Sequence, residues 1–196
     1  MDQTFAPSDV KAALRQAALE NRDALPAQDR HRAAQIISER PFPVPVAPGV
    51  VISGFMPLKS EINPLPLMKV LAGRGAQLAL PVVAGRGKPL LMRGYAFGDA
   101  LDAGQWGIRE PKPQAGEVEP DILLVPLAAF DRRGHRIGYG AGYYDMTIAR
   151  LRAMKPVIAV GLAYAAQEIA EVPATARDAR LDLVLTEREV VACRGD

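Results

Sequence analysis

The chain has 196 residues, 49% of them apolar and 23% charged, with a formal net charge of +2. A chain of this size and balance is expected to form one globular domain, burying about 70% of the surface that its unfolded form exposes, with no metal or disulfide staple. The single cysteine, Cys193, reads as an unpaired tail residue. Apolar stretches such as 50–56 fall far short of the roughly 20 residues a membrane span needs, and no basic, apolar leader opens the chain. Lys and Arg are dispersed among Asp and Glu, which argues against nucleic acid as the main partner. The protein is therefore expected in the cytoplasm.

In chain order, Ser8 reads as the cap of a first helix whose apolar positions Val10, Ala13, Leu14, Ala17 and Ala18 recur at three and four. Lys11 and Arg15 lie one turn apart on a shared face of that helix. A second helix is predicted over 26–39, with Ala33, Ile36 and Ile37 on its buried side. The proline-rich stretch 41–48 cannot be a helix or an inner strand, so it is an extended connector. Strand-length apolar runs follow at 50–55, 77–83, 121–130, 157–163 and 181–185, with helices predicted at 63–73 and 142–154. The stretch 85–113, rich in Gly and Pro, reads as a hairpin and long loop beside the sheet.

This alternation predicts an α/β fold: a single three-layer domain over 1–196 with a mainly parallel sheet flanked by helices on both faces. The N-terminal helical pair, about 8–40, is expected to pack on that core.

Ligands of open parallel sheets sit beyond the carboxyl ends of the strands, where a following helix presents unpaired N–H groups. One junction stands out. After the 121–130 strand come Arg132, Arg133 and Arg136, then Gly138-Tyr-Gly-Ala-Gly-Tyr-Tyr-Asp145 and a helix. Alternating glycines let successive N–H groups turn toward one anion, and a guanidinium fork at Arg136 suits phosphate oxygens. Asp145 is either a carboxylate favoured by the helix dipole or, beside phosphates, a ligand for Mg²⁺. The spacing matches neither the dinucleotide fingerprint nor the common phosphate loop. Trp106, taken by itself, reads as core packing and His31 as a solvated helix residue.

The run Val125-Pro-Leu-Ala-Ala-Phe-Asp-Arg-Arg-Gly-His-Arg-Ile-Gly-Tyr-Gly-Ala-Gly-Tyr-Tyr-Asp145 resembles the signature of the 5-formyltetrahydrofolate cyclo-ligase family. Lys11-Ala-Ala-Leu-Arg15, Glu61-Ile62, Gly107-Ile-Arg-Glu-Pro111, Val160-Gly-Leu-Ala163, Gln167, Asp178 and Thr186-Glu187 fall in the family's order and spacing. The resemblance implies an ATP-dependent ligase that closes the ring of 5-formyltetrahydrofolate, with Mg²⁺. It implies ATP contacts from Lys11, Arg15, Arg136, Gly138, Tyr139, Gly140, Ala141, Gly142, Tyr143 and Tyr144, with Arg136 and Lys11 serving catalysis. Folate contacts would come from Arg15, Met56, Glu61, Trp106 and the 139–143 segment, and metal contacts from Asp145 and Asp178. The expected partners are the folate and ATP, for a chain acting as a monomer without nucleic acid or membrane.

The resemblance has departures. Some relatives carry a lysine where Ala141 stands, a histidine where Arg177 stands, and an arginine where Val82 stands. A non-catalytic binder of nucleotide or folate on the same fold is the alternative these departures motivate, and a basic RNA-associated module is a third, weaker one.

Overall fold

The computed structural model describes residues 7–193. Helix α1 (Pro7–Asp23) begins one residue before Ser8, so Ser8 lies in its first turn rather than at its cap, and the Ser8 side chain falls outside the described residues. Helix α2 (Ala27–Glu39) starts after Pro26, whose extended backbone suits the entry to a helix. Helix α3 (Leu65–Gly73) follows Asn63, whose side-chain oxygen accepts the Leu65 N–H at 3.0 Å.

Seven strands form the main sheet in the order β11-β10-β9-β6-β1-β2-β3. They are β1 (Val51–Ser53), β2 (Gln77–Val82), β3 (Leu91–Tyr95), β6 (Ile122–Pro126), β9 (Ile158–Leu162), β10 (Leu183–Leu185) and β11 (Val190–Ala192). The five inner strands pair in parallel and the two edges, β3 and β11, are antiparallel. Side chains on a strand alternate between faces. Ile122 and Leu124 of β6 therefore meet α2 and α3 in one core with Ala33, Ile37, Leu67, Met68 and Leu71. Leu123 and Val125 meet α4 (Tyr143–Met154) through Ile148 and Leu151 in the other. Helices thus cover both faces of a mainly parallel sheet, as the apolar pattern predicts.

Five readings are corrected. The 121–130 run is two strands, because after Leu127 the chain leaves the sheet and β7 (Ala129–Phe130) pairs antiparallel with β8 (Arg136–Ile137). In 85–113, β3 joins the main sheet through antiparallel pairs with β2, and β4 (Leu101–Ala103) forms a separate hairpin with β5 (Arg109–Pro111). On α1, Val10, Ala13 and Ala17 are exposed, while Lys11, Leu14, Arg15, Ala18, Leu19 and Arg22 face inward. On α2, Ile36 is only half-buried and Ala34 is buried beside Ala33 and Ile37. Cys193 is not a loose tail residue either. Its N–H donates to Asp182 O at 3.0 Å, its side chain packs on the second core, and burial pushes its thiol up to about 11.

Candidate active site

A cavity of about 600 Å³ opens beyond the carboxyl ends of β1, β2 and β6, within the size range of small-molecule sites. Its walls come from distant parts of the chain: Lys11 and Arg15 of α1, the 55–61 loop after β1, Pro81 and Val83 at the end of β2, the β4 to β5 hairpin, the glycine turn, and Asp178. Every residue assigned to ATP, folate or metal from the sequence lines it.

The turn is shaped by two glycines. Gly140 (φ +98°) and Gly142 (φ +69°) take left-handed backbone, which residues with a Cβ rarely adopt. Gly142 stands at the start of α4 and no side chain caps that helix, so its first N–H groups, which belong to residues on the cavity wall, have no capping side chain as acceptor. Gly138 has another task. Its carbonyl accepts the Arg15 Nε–H at 2.7 Å, which ties α1 to the turn and brings the Arg15 guanidinium within 3.7 Å of where a Cβ on Gly140 would be.

The charged side chains form two linked pairs. Arg136, only 5% exposed, donates to Asp145 Oδ1 at 2.7 Å and to the carbonyl of Ala179, and Asp145 Oδ1 also accepts the Ala179 N–H at 3.0 Å. Burial works against the Arg136 charge and Asp145 supports it. Lys11 Nζ lies 2.7 Å from Asp178 Oδ1, while Asp178 Oδ2 accepts the Thr175 N–H at 2.7 Å. Burial alone raises the Asp178 carboxyl, but Lys11 and Thr175 outweigh it and hold it below its ordinary value.

On the opposite wall, Glu61 Oε2 accepts the Leu58 N–H at 2.7 Å and burial pushes the carboxyl up. Trp106 stands at the mouth on the β4 to β5 hairpin, 62% exposed, with its ring centroid 6.2 Å from that of Tyr143. Its left-handed backbone (φ +56°) turns the hairpin tip toward the cavity wall. The core reading of Trp106 therefore does not hold.

Residues 7–187 match the sequence model of the 5-formyltetrahydrofolate cyclo-ligase family. The chain belongs to that family. The 5-formyltetrahydrofolate cyclo-ligase of Mycolicibacterium smegmatis is 35% identical over 193 residues, covering 94% of this chain and 97% of the relative. That of Escherichia coli K12 is 31% identical, covering 84% and 93%. The solved 5,10-methenyltetrahydrofolate synthetase of Aquifex aeolicus superposes with a TM-score of 0.77 at 30% identity, covering 95% of this chain and 94% of its own.

For this cyclo-ligase family member, sequence reasoning missed much of the apolar lining: Phe55, Leu58, Val83, Leu90, Ile108 and Pro126. An apolar residue that lines a cavity has the same sequence signature as one in the core. Glu110, inside the matched Gly-Ile-Arg-Glu-Pro segment, was not assigned a role; it accepts the Val83 N–H at 3.2 Å and packs where any Cβ on Gly104 would be.

Among the described residues no cluster of three or more His, Cys, Asp or Glu is placed to hold a metal ion. The carboxylates on the cavity wall are Glu61, Glu110, Asp145 and Asp178, of which Asp145 and Asp178 stand beside the cations Arg136 and Lys11. Two carboxylates suit Mg²⁺ carried in with phosphate oxygens and water, and do not suit a cation bound by protein alone.

Proposed function

We propose that this protein catalyses the ATP-driven ring closure of 5-formyltetrahydrofolate to 5,10-methenyltetrahydrofolate, releasing ADP and phosphate. The observation that carries the reading is that residues drawn from six separate parts of the sequence line one cavity. The cavity is polar and cationic toward α1 and the glycine turn, and apolar toward Phe55, Leu90 and Ile108. That division suits a triphosphate at one end and a flat heterocycle at the other.

Lys11, Arg15 and the open N–H groups of the turn would grip the triphosphate, with the planar fork of Arg15 facing its oxygens. Arg136 holds Asp145 and adds positive potential behind the phosphates. Glu61 would accept from the amide-like donor edge of the pterin, and the aromatic rings of Trp106 and Tyr143 would cover its face. The formyl oxygen on N5 attacks the γ-phosphorus and ADP leaves. N10 then closes on the activated carbon, losing its proton, and the former formyl oxygen departs with phosphate. Phosphoryl transfer asks mainly for positioning and charge neutralisation, so no protein nucleophile is needed. Asp145 and Asp178 would hold Mg²⁺, which when bound neutralises charge on the transferring phosphoryl group. In this reading the chain acts as a single domain and as a monomer.

The test is to follow the absorbance of the conjugated methenyl product with 5-formyltetrahydrofolate, ATP and Mg²⁺ present together and each omitted in turn. Product is expected only with all three. Product formed without ATP, or tight binding of both ligands with no product, would sink the reading, the latter in favour of a non-catalytic binder.

A further inference from the structure

Arg22 belongs to none of the short motifs that carry the family resemblance and does not line the cavity, yet at 2% exposure it is more enclosed than Arg136. It sits on the inward face of α1, seven residues beyond Arg15 and about three turns beyond Lys11. Taking a guanidinium out of water is costly unless its donors are used. Its Nε donates to Ser60 Oγ at 2.9 Å, a terminal nitrogen donates to the Tyr139 hydroxyl, and its guanidinium carbon lies 5.7 Å from the centre of the Tyr139 ring. The carboxylate within ion-pair range, Asp23, is 3.7 Å away on the solvent side, and its own Oδ1 accepts from Ser60.

A phenol has one proton to give, and with Arg22 donating to its oxygen the Tyr139 hydroxyl keeps that proton for the Glu61 carboxylate, with which it interacts. Through Ser60 and Tyr139, Arg22 joins three elements that meet at the cavity: α1, the loop after β1 and the glycine turn.

We propose that Arg22 is a positioning residue for the substrate, orienting the Tyr139 hydroxyl toward Glu61 so that ring and carboxylate receive the donor edge of a flat heterocycle. This rests on the folate reading above. Among the described residues, Tyr139, Tyr144, Tyr164 and Arg22 are the titratable groups that interact electrostatically with Glu61, and Arg22 is the cation among them. Burial raises the Glu61 carboxyl, while Tyr139, the Leu58 amide and Arg22 oppose that rise. A substrate that donates to Glu61 needs it ionised, so binding strengthens as pH rises through the carboxyl's raised value. Removing the Arg22 charge lifts that value further.

The experiment measures KM for 5-formyltetrahydrofolate and for ATP, with kcat, across pH in the unaltered protein and in Arg22→Met, Arg22→Lys, Tyr139→Phe and the Arg22→Met/Tyr139→Phe double variant. Arg22→Met is expected to raise the folate KM on the order of tenfold, leave the ATP KM within about twofold, and move the acid limb of kcat/KM to higher pH. Arg22→Lys should restore most of the limb, since the charge remains. The double variant should be little worse than Arg22→Met, because both changes break one chain. An unmoved acid limb, equal losses toward both substrates, or additive losses in the double variant would overturn the proposal. Should Arg22→Met not fold, Tyr139→Phe keeps Arg22 and the ring while deleting the hydroxyl link, and an unmoved limb there overturns it equally. Absence of turnover in the unaltered protein counts against the folate reading instead, and the pH dependence of folate binding then reads the Arg22 contacts directly.

Discussion

One oxygen of Asp145 accepts from both Arg136 and the Ala179 N–H, so this carboxylate supports a buried cation as well as facing the cavity. Sequence alone suggests that Asp145→Asn removes a charge near a metal and leaves the fold intact. The structure adds a stability cost, because Arg136 would keep its buried charge with a weaker partner. Breaking a buried pair costs about 3 to 5 kcal/mol, and partial exposure of Asp145 together with the nearby Asp178 puts this case nearer 1 to 3. Asp145→Asn is thus expected to lose on the order of a hundredfold in kcat and to unfold at lower urea. Full activity would exclude Asp145 as a metal ligand, and unchanged stability would show that Arg136 relies on other acceptors. The glycine turn was legible in the sequence because its glycines, cations and carboxylate are contiguous. Arg22 was not, since its partners Ser60 and Tyr139 lie 38 and 117 residues away and only folding reveals them.

At the scale of elements, the β7 to β8 hairpin carries the glycine turn, and Asp131 organises it. This carboxylate has no solvent exposure and accepts the N–H groups of Arg133, His135 and Val172, each at 3.0 Å. Burial alone would raise its carboxyl, but the Val172 and His135 amides and the His135 ring outweigh that and hold it below 3.8. A depressed folded-state value means stability present above the unfolded value and lost as pH falls through the folded one. Asp131→Asn should therefore cost about 2 to 3 kcal/mol at neutral pH, as hydrogen bonds to a charged acceptor do. The gap to the unaltered protein should narrow in acid, and urea unfolding across pH 2 to 7 (about the range over which carboxylates titrate) measures it. A gap that stays constant with pH would mean Asp131 is not ionised in the folded protein. Element types were largely readable because period and length separate helix from strand. The break after Leu127 was not, since the residues on both sides are apolar and fully buried, and only pairing partners distinguish β6 from β7.

For the molecule as a whole, the cavity is closed by parts of the chain that topology alone brings together, from Lys11 in the first helix to Asp178 ahead of β10. The sheet and its helices were readable from alternation, whereas the cavity shape was not, because the side of α1 that docks is set by Lys11, Arg15 and Arg22 finding partners as well as by Leu14, Ala18 and Leu19 packing. A ligand that spans such walls binds the folded state and not the unfolded one. At a hundred times its dissociation constant it should add about 2.7 kcal/mol to stability by mass action, read as a rise in the thermal midpoint. The two ligands should be separable, because Trp106 is the single tryptophan, is 62% exposed and stands on the side of the mouth proposed for the folate. Adding 5-formyltetrahydrofolate should shift its emission to shorter wavelength as the ring loses water, with ATP alone changing it little. A chelator should remove the ATP part of the thermal shift and leave the folate part. An emission spectrum that responds to ATP and not to folate would put the heterocycle at the other end of the cavity and reverse the roles of its two walls.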